Sequence, residues 1–403
     1  MLRSFLLMPD TMGNRMSTIQ KIELFYVSIP LPNPISPAWY RGYTQTHQRM
    51  SLIRLTTDDG LEGISAGWVM GEERNALGPW LEESFLGVDP LDLGTIHRRL
   101  KEIAWRGMPA YWIEPAFWDL RGKIEQKPVY QLLDFGASNT TVESVPVYCS
   151  TIQHLPTDER LRSLETIQEK GFNAMKLRLG GELKEDRKLC REVRLCAGPG
   201  LALMLDADQG RRFWKGDKEP PLWKLPQALG ELAAMQELVI EWLEEPVDMH
   251  AYDDFAVLRS ESPIPIAGGE MNAGWHEFKV FIDKGSLDIF QPDATIAGGI
   301  STAVQVMDAC WRRELHFTPS SGHNGLSLLV NLHVYAAWPS KFFYEFPFEP
   351  GIWTPEIRDA LLLSPIEIQD DGSLLVPQTP GLGIALDPEV MANYATLCYE
   401  ANA

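Results

Sequence analysis

Apolar positions along this chain change their period twice. From about residue 20 to residue 66 they run as strands. IQKIELFYVSI alternates moderately, MSLIRLTT is a second run, and Asp59-Gly60 is a tight-turn signal leading into LEGISAG. Between the first two runs, LPNPISPAWYRGYTQTHQ is rich in proline and turn residues and too long for a simple hairpin. Its aromatic residues point to a lid. Over residues 91–134 the spacing becomes helical, with Trp112, Ala116, Leu120 and Ile124 recurring every four positions. This first part reads as an α+β unit.

From about residue 145 short apolar runs alternate with amphipathic stretches. The runs are VPVYCS, AMKLRLG, ALMLDAD, VIEWLEEP, IPIAGGE, DIFQPDA, LHFTPSS and FFYEFPF, with seven helical stretches between them. Alternating β and α units imply parallel strands, and eight units in about 200 residues is the count of a (β/α)8 barrel. A doubly wound sheet wants a GxGxxG loop after a strand, and none occurs. The expected organisation is an α/β chain with a ragged tail over 1–15, an α+β capping domain over 16–140 and the barrel over 141–348. A Pro/Gly-rich segment, 349–403, packs back to complete the cap.

Composition narrows the function. Lys and Arg number 36 against 55 Asp and Glu, a net charge of −19. So negative a field repels phosphate backbones and anionic membrane surfaces, which argues against nucleic acid or membrane as partners. No apolar run reaches the roughly 18–20 residues that span a bilayer, and FLLM near the N-terminus is too short for a secretion signal. Five cysteines (149, 190, 196, 310, 398), with no CxxC, argue against disulfides or a thiolate zinc site and suit a reducing, cytoplasmic setting.

Barrel active sites sit at the C-terminal ends of the strands. There the second run ends in Lys176 and Arg178, the third in Asp206 and Asp208, and the fourth in Glu244 and Glu245. The fifth ends in Glu270, the sixth in Asp293 and the eighth in Glu345, while His323 follows the seventh. Charges in apolar strands are costly unless paired or on a metal. Acids ending three consecutive strands offer hard oxygen ligands that suit Mg2+.

FWDLRGKIEQKPVYQLL, MKLRLG, MLDADQG, WLEEP, GGEMN, QPDATIAGGIS and PGLGIALD together resemble the enolase superfamily, and within it the mandelate-racemase-like acid-sugar dehydratases, over about residues 20–385. The resemblance implies a barrel with a cap whose loops close over substrate. It implies Mg2+ held by Asp206, Glu244 and Glu270, with Glu244 rather than Glu245 as ligand. The implied chemistry is removal of a proton alpha to a carboxylate, here from an acid sugar, followed by loss of water to a 2-keto-3-deoxy acid. Glu345 stands where such proteins place a carboxylic acid that hydrogen-bonds the enolate, so it is expected to be protonated. A homo-oligomer, dimer to octamer, is the family habit.

One position departs from the family pattern. The second lysine of its Lys-x-Lys is Arg178, a poor base that is better suited to clamping a carboxylate, while Lys176 assists electrostatically. This weakens a two-base racemase and leaves His323, oriented by Asp293, as the base. The gap-free register of FTPSSGHNG puts the family histidine at Ser320, three residues earlier, so either a shifted loop delivers His323 or the base is lost. Asp208, Trp39, Tyr40, Arg41 and Trp68 are the substrate-contact candidates. The alternatives are a racemase, epimerase or lactone cycloisomerase, or a metal-binding relative with impaired catalysis.

Overall fold

The computed structural model describes residues 17–68, 73–133, 141–211, 213–216, 222–321, 324–337 and 343–403. The expected tail, 1–15, and His323 lie outside the described residues, as does the side chain of Trp68.

The cap begins with β1 (Ile19–Ile35), β2 (Gln45–Thr57) and β3 (Glu62–Trp68), joined as antiparallel neighbours. β1 runs on to Ile35 and β2 begins at Gln45, so half of the proline-rich stretch read as loop is strand. Its prolines are tolerated because they fall at the strand's end, where the ladder with β2 is irregular. The loop proper spans residues 36–44. Helix Glu114–Ile124 then packs on β3 and β2, and helix Leu93–Trp105 packs on that helix.

Eight parallel strands follow among the described residues: β4 (Ser144–Ser150), β5 (Ala174–Arg178), β6 (Ala202–Asp206), β7 (Ile240–Glu244), β8 (Ile266–Gly268), β9 (Ile289–Phe290), β10 (His316–Phe317) and β11 (Tyr344–Pro347). Each coincides with one of the eight apolar runs. The backbone ladder runs from β11 through β4 to β10 in one direction. Between β10 and β11 side chains bridge the seam: Thr318 Oγ1 donates to the Phe343 carbonyl at 3.0 Å and Ser321 Oγ to the Glu345 carbonyl at 3.1 Å. β12 (Ser373–Leu375) pairs antiparallel with β4, and β13 (Ala395–Asn402) joins the cap sheet beside β1.

The cap is pinned to the C-terminal segment by one buried carboxylate. Asp119, in helix Glu114–Ile124, accepts from Leu382 N at 2.8 Å, Ile64 N at 3.1 Å and Lys123 Nζ at 2.8 Å. Gly381 passes so close that a Cβ there would lie 2.2 Å from Asp119 Oδ1, at a φ of 86°. Only glycine meets both demands. FWDLRGK and PGLGIALD, far apart in sequence, thus form one junction.

Candidate active site

Strand alternation builds the site in layers. Tyr148, Ala174, Met204, Trp242, Ala267 and Ile289 pack as a buried cluster of their own, with Phe343 against it. Two residues on, along the same face, come Ser150, Lys176, Asp206, Glu244, Gly269, Gln291 and Glu345. The charged layer therefore sits one step above an apolar floor, at the C-terminal mouth.

Lys176 is its centre. Its Nζ lies 2.8 Å from both oxygens of Glu244, 3.1 Å from Glu345 Oε1 and 3.4 Å from Asp206 Oδ2, fully out of solvent. Gln291 Nε2 donates to Glu244 Oε2 at 2.8 Å. Arg178 Nη1 lies 2.5 Å from Asp206 Oδ2 and 3.0 Å from Asp208 Oδ1, and its Nε donates to the Thr151 carbonyl at 3.0 Å. Glu270 takes a hydrogen bond from Arg211 Nη1 and another from Ser320 Oγ at 3.2 Å.

Glu345 differs from expectation. Its Oε2 accepts from the Ser321 amide at 2.7 Å and from Ser320 Oγ at 3.0 Å. Burial alone would push its carboxyl up, but Lys176, then Arg178 and the Ser321 amide, outweigh burial and hold it at about 2. It is a carboxylate, not the neutral donor that the family resemblance implies, because Lys176 stands beside it.

Elsewhere in the cluster protons are retained. Burial, then the Asp206 charge, push Glu244 up to about 8 and Asp208 up to about 7. Burial and then Glu270 push Glu245 well above the usual carboxylate range. Burial also opposes the charge of Asp206, but Arg178 and Lys176 hold it below its ordinary value. Six buried carboxyls (Asp206, Asp208, Glu244, Glu245, Glu270 and Glu345) thus face three buried cations (Lys176, Arg178 and Arg211). The desolvated acid excess demands protons or a further cation, and a hard divalent ion fits it. Among the described residues no three ligating side chains already converge on one point. Each of the three expected ligands is instead turned to a basic side chain.

Asp293 lies apart from the ion pairs. Its Oδ1 accepts from Thr295 N at 2.7 Å, Thr295 Oγ1 at 2.8 Å and Asn331 Nδ2 at 2.9 Å, while among the described residues Oδ2 meets Ser327 Oγ at 3.4 Å. Burial raises it to about 6. Ser320, the family histidine's gap-free position, is inside the site, between Glu270 and Glu345.

The cap loop closes over this mouth. Ala38 N donates to the Ile152 carbonyl at 2.9 Å, and Arg41 exchanges backbone bonds with Phe213 and Lys215. Arg178 Cζ sits 5.2 Å from the Trp39 ring centre, and Tyr40 stacks on Tyr43 at 4.7 Å. A cavity of about 320 Å³ lies beside the loop, lined by Trp39, Tyr40, Tyr43, Ile152 and Trp353 among others but by none of the charged residues of the cluster. Arg41 reaches back toward Gly181. Trp68 ends β3 opposite Met50.

Sequence reasoning missed Arg211, Gln291 and His154. Gln291 carried a signal, being a polar residue two positions before Asp293 in an apolar run. Arg211 and His154 sit in loops, where no period applies. His154 is mostly buried near Arg41 and Arg178, and burial lowers it to about 4.

Comparison with known proteins agrees with this geometry. The model of the mandelate racemase / muconate lactonizing enzyme N-terminal domain matches residues 21–134, and that of the enolase C-terminal domain-like family matches residues 159–390. The L-talarate/galactarate dehydratase of Salmonella typhimurium is 26% identical over 385 residues, covering 92% of this chain and 89% of that protein. The D-galactarolactone cycloisomerase of Agrobacterium fabrum is 26% identical over 385 residues, 90% and 95% of the two chains. The crystal structure of L-talarate dehydratase from Polaromonas sp. JS666, complexed with Mg and L-glucarate, superposes with a TM-score of 0.76 at 24% identity, over 96% of this chain and 99% of that one. With both domain models matched in order and acids ending three adjacent strands of the barrel, the chain belongs to the mandelate racemase/muconate lactonizing enzyme family of the enolase superfamily.

Proposed function

We propose that this enzyme is a Mg2+-dependent acid-sugar dehydratase. Asp206, Glu244 and Glu270 would hold the ion. When bound, Mg2+ supplies positive charge at the substrate carboxylate, where negative charge accumulates as the alpha proton leaves.

The carrying observation is the state of the β5 face. Lys176 is locked between Glu244 and Glu345, and carboxylates hold its pKa well above the ordinary lysine value despite burial. Arg178 is a guanidinium bound to Asp206 and Asp208. Neither is an available base. Proton abstraction from two opposite faces, which racemisation requires, is therefore disfavoured, and one-base elimination is favoured. His323 is the proposed base, with Asp293 as its orienting carboxylate. The base takes the alpha proton, the beta C–O bond breaks, and the hydroxyl leaves with a proton as water. The resulting enol tautomerises to the 2-keto-3-deoxy acid. Arg178 and Lys176 keep the substrate's anionic end in a positive field, and Trp39 and Tyr40 wall the cavity around its hydroxylated chain.

A library of aldonic and aldaric acids, incubated with Mg2+ and assayed for 2-keto acid, tests this. Keto-acid formation from at least one member is expected, and none across the library would refute it. Because the cycloisomerase relative matches as fully as the dehydratase, the same library in deuterated water separates the second reading. A cycloisomerase gives lactone interconversion and exchange at the alpha carbon without water loss.

A further inference from the structure

Of the three cations in the cluster, Arg211 is placed differently. Lys176 and Arg178 project from one strand, and each touches at least two carboxylates. Arg211 comes from the loop after β6, lies over the Phe213 ring and among the described carboxyls is bonded to Glu270 alone, while its buried Nε has no hydrogen-bond partner there. Two further carboxyls stand near it. Glu245 packs so tightly on Gly210 that a Cβ there would lie 2.3 Å from its carboxyl carbon. Glu245 Oε1 and Asp208 Oδ2 are both buried without a hydrogen-bond partner among the described residues. Both residues also sit in the left-handed backbone region, at φ 44° and 49°.

We propose that Arg211 is a displaceable counter-cation: it neutralises Glu270 in the ion-free protein and yields it to the divalent ion, moving to Glu245 and Asp208. This rests on the reading of Glu270 as a metal ligand. A buried carboxylate left without a cation is costly, so a ligand set that must also persist without its ion benefits from an internal substitute. The two unpartnered oxygens give the guanidinium a second pair of carboxyl acceptors. Arg211 is then a positioning residue that sets the affinity for the ion, because only the fraction of molecules with Glu270 released binds it.

Calorimetric titration of the ion-free full-length protein with Mg2+ tests this, comparing wild type with Arg211→Gln. With no guanidinium to displace, the variant is expected to bind Mg2+ about tenfold more tightly. A merely structural arginine predicts unchanged or weaker binding, and either result would overturn the proposal. Should the variant not fold, wild-type crystals grown with EDTA and with Mg2+ decide it. The guanidinium is expected on Glu270 in the first and on Glu245 and Asp208 in the second. Retention on Glu270 beside a bound ion refutes the displacement alone. Absence of any Mg2+ binding by the wild type and the variant refutes the metal reading as well.

Discussion

At the residue scale the site is a problem of charge compensation. Every expected ligand is held by a cation, and every cation is held by at least one acid. Glu270→Gln keeps an acceptor for Arg211 and Ser320 but removes one anion. We expect it to leave the fold intact by circular dichroism and to abolish Mg2+-dependent keto-acid formation; retained activity would refute Glu270 as a ligand. His323→Asn is expected to lower turnover by at least about 100-fold, the usual size of a lost general base, with the melting temperature nearly unchanged. Near-normal turnover would move the base elsewhere. Ser320 bears on that outcome, since its hydroxyl bonds both Glu270 and Glu345 and is no proton acceptor at neutral pH.

At the element scale the strand ends set the layer and the loops fill it. The period of two that lifts Lys176, Asp206 and Glu244 above Ala174, Met204 and Trp242 is visible in the one-dimensional pattern. The junction at Asp119 is not, since its three donors come from β3, its own helix and the C-terminal segment. Asp119→Ala leaves two buried amides unsatisfied and opens space between these elements. We expect a loss of about 3–5 kcal/mol in chemical denaturation. A loss below about 1 kcal/mol would mean that the C-terminal segment is held mainly by β13 against β1 and by β12 against β4.

At the scale of the whole molecule, the net charge of −19 conceals a buried cluster with its own titration. Glu244 at about 8 and Asp208 at about 7 keep protons in the folded chain that the unfolded chain, at ordinary values of 4.5 and 3.8, has already released. Folded-state binding of protons makes stability fall as pH rises from about 4.5 through 8. Glu345, held at about 2, acts in the opposite sense, and its contribution is lost as pH falls from about 4.5 through 2. The ion-free protein should therefore melt at a lower temperature at about pH 8.5 than at about pH 6, and Mg2+ should raise the melting temperature more at the higher pH, where it need not displace protons. An ion effect independent of pH would contradict this. Among the described residues no helix is long and apolar enough to cross a membrane.

The alternation of apolar runs with helical stretches was enough to specify eight parallel strands, their boundaries to within a few residues, and the acids at their ends. Those properties follow from local periods, because burial on a strand repeats every two residues wherever the chain runs. What the tertiary structure alone decided is which charge stands beside which. The family resemblance implies a neutral donor at Glu345, but it is ionised, because Lys176, 169 positions away, points at it. Arg211 carries no sequence signal, because a loop has no period to declare where its side chain points. Electrostatic energy depends on distances of a few ångströms between segments far apart in sequence, and only folding sets those distances.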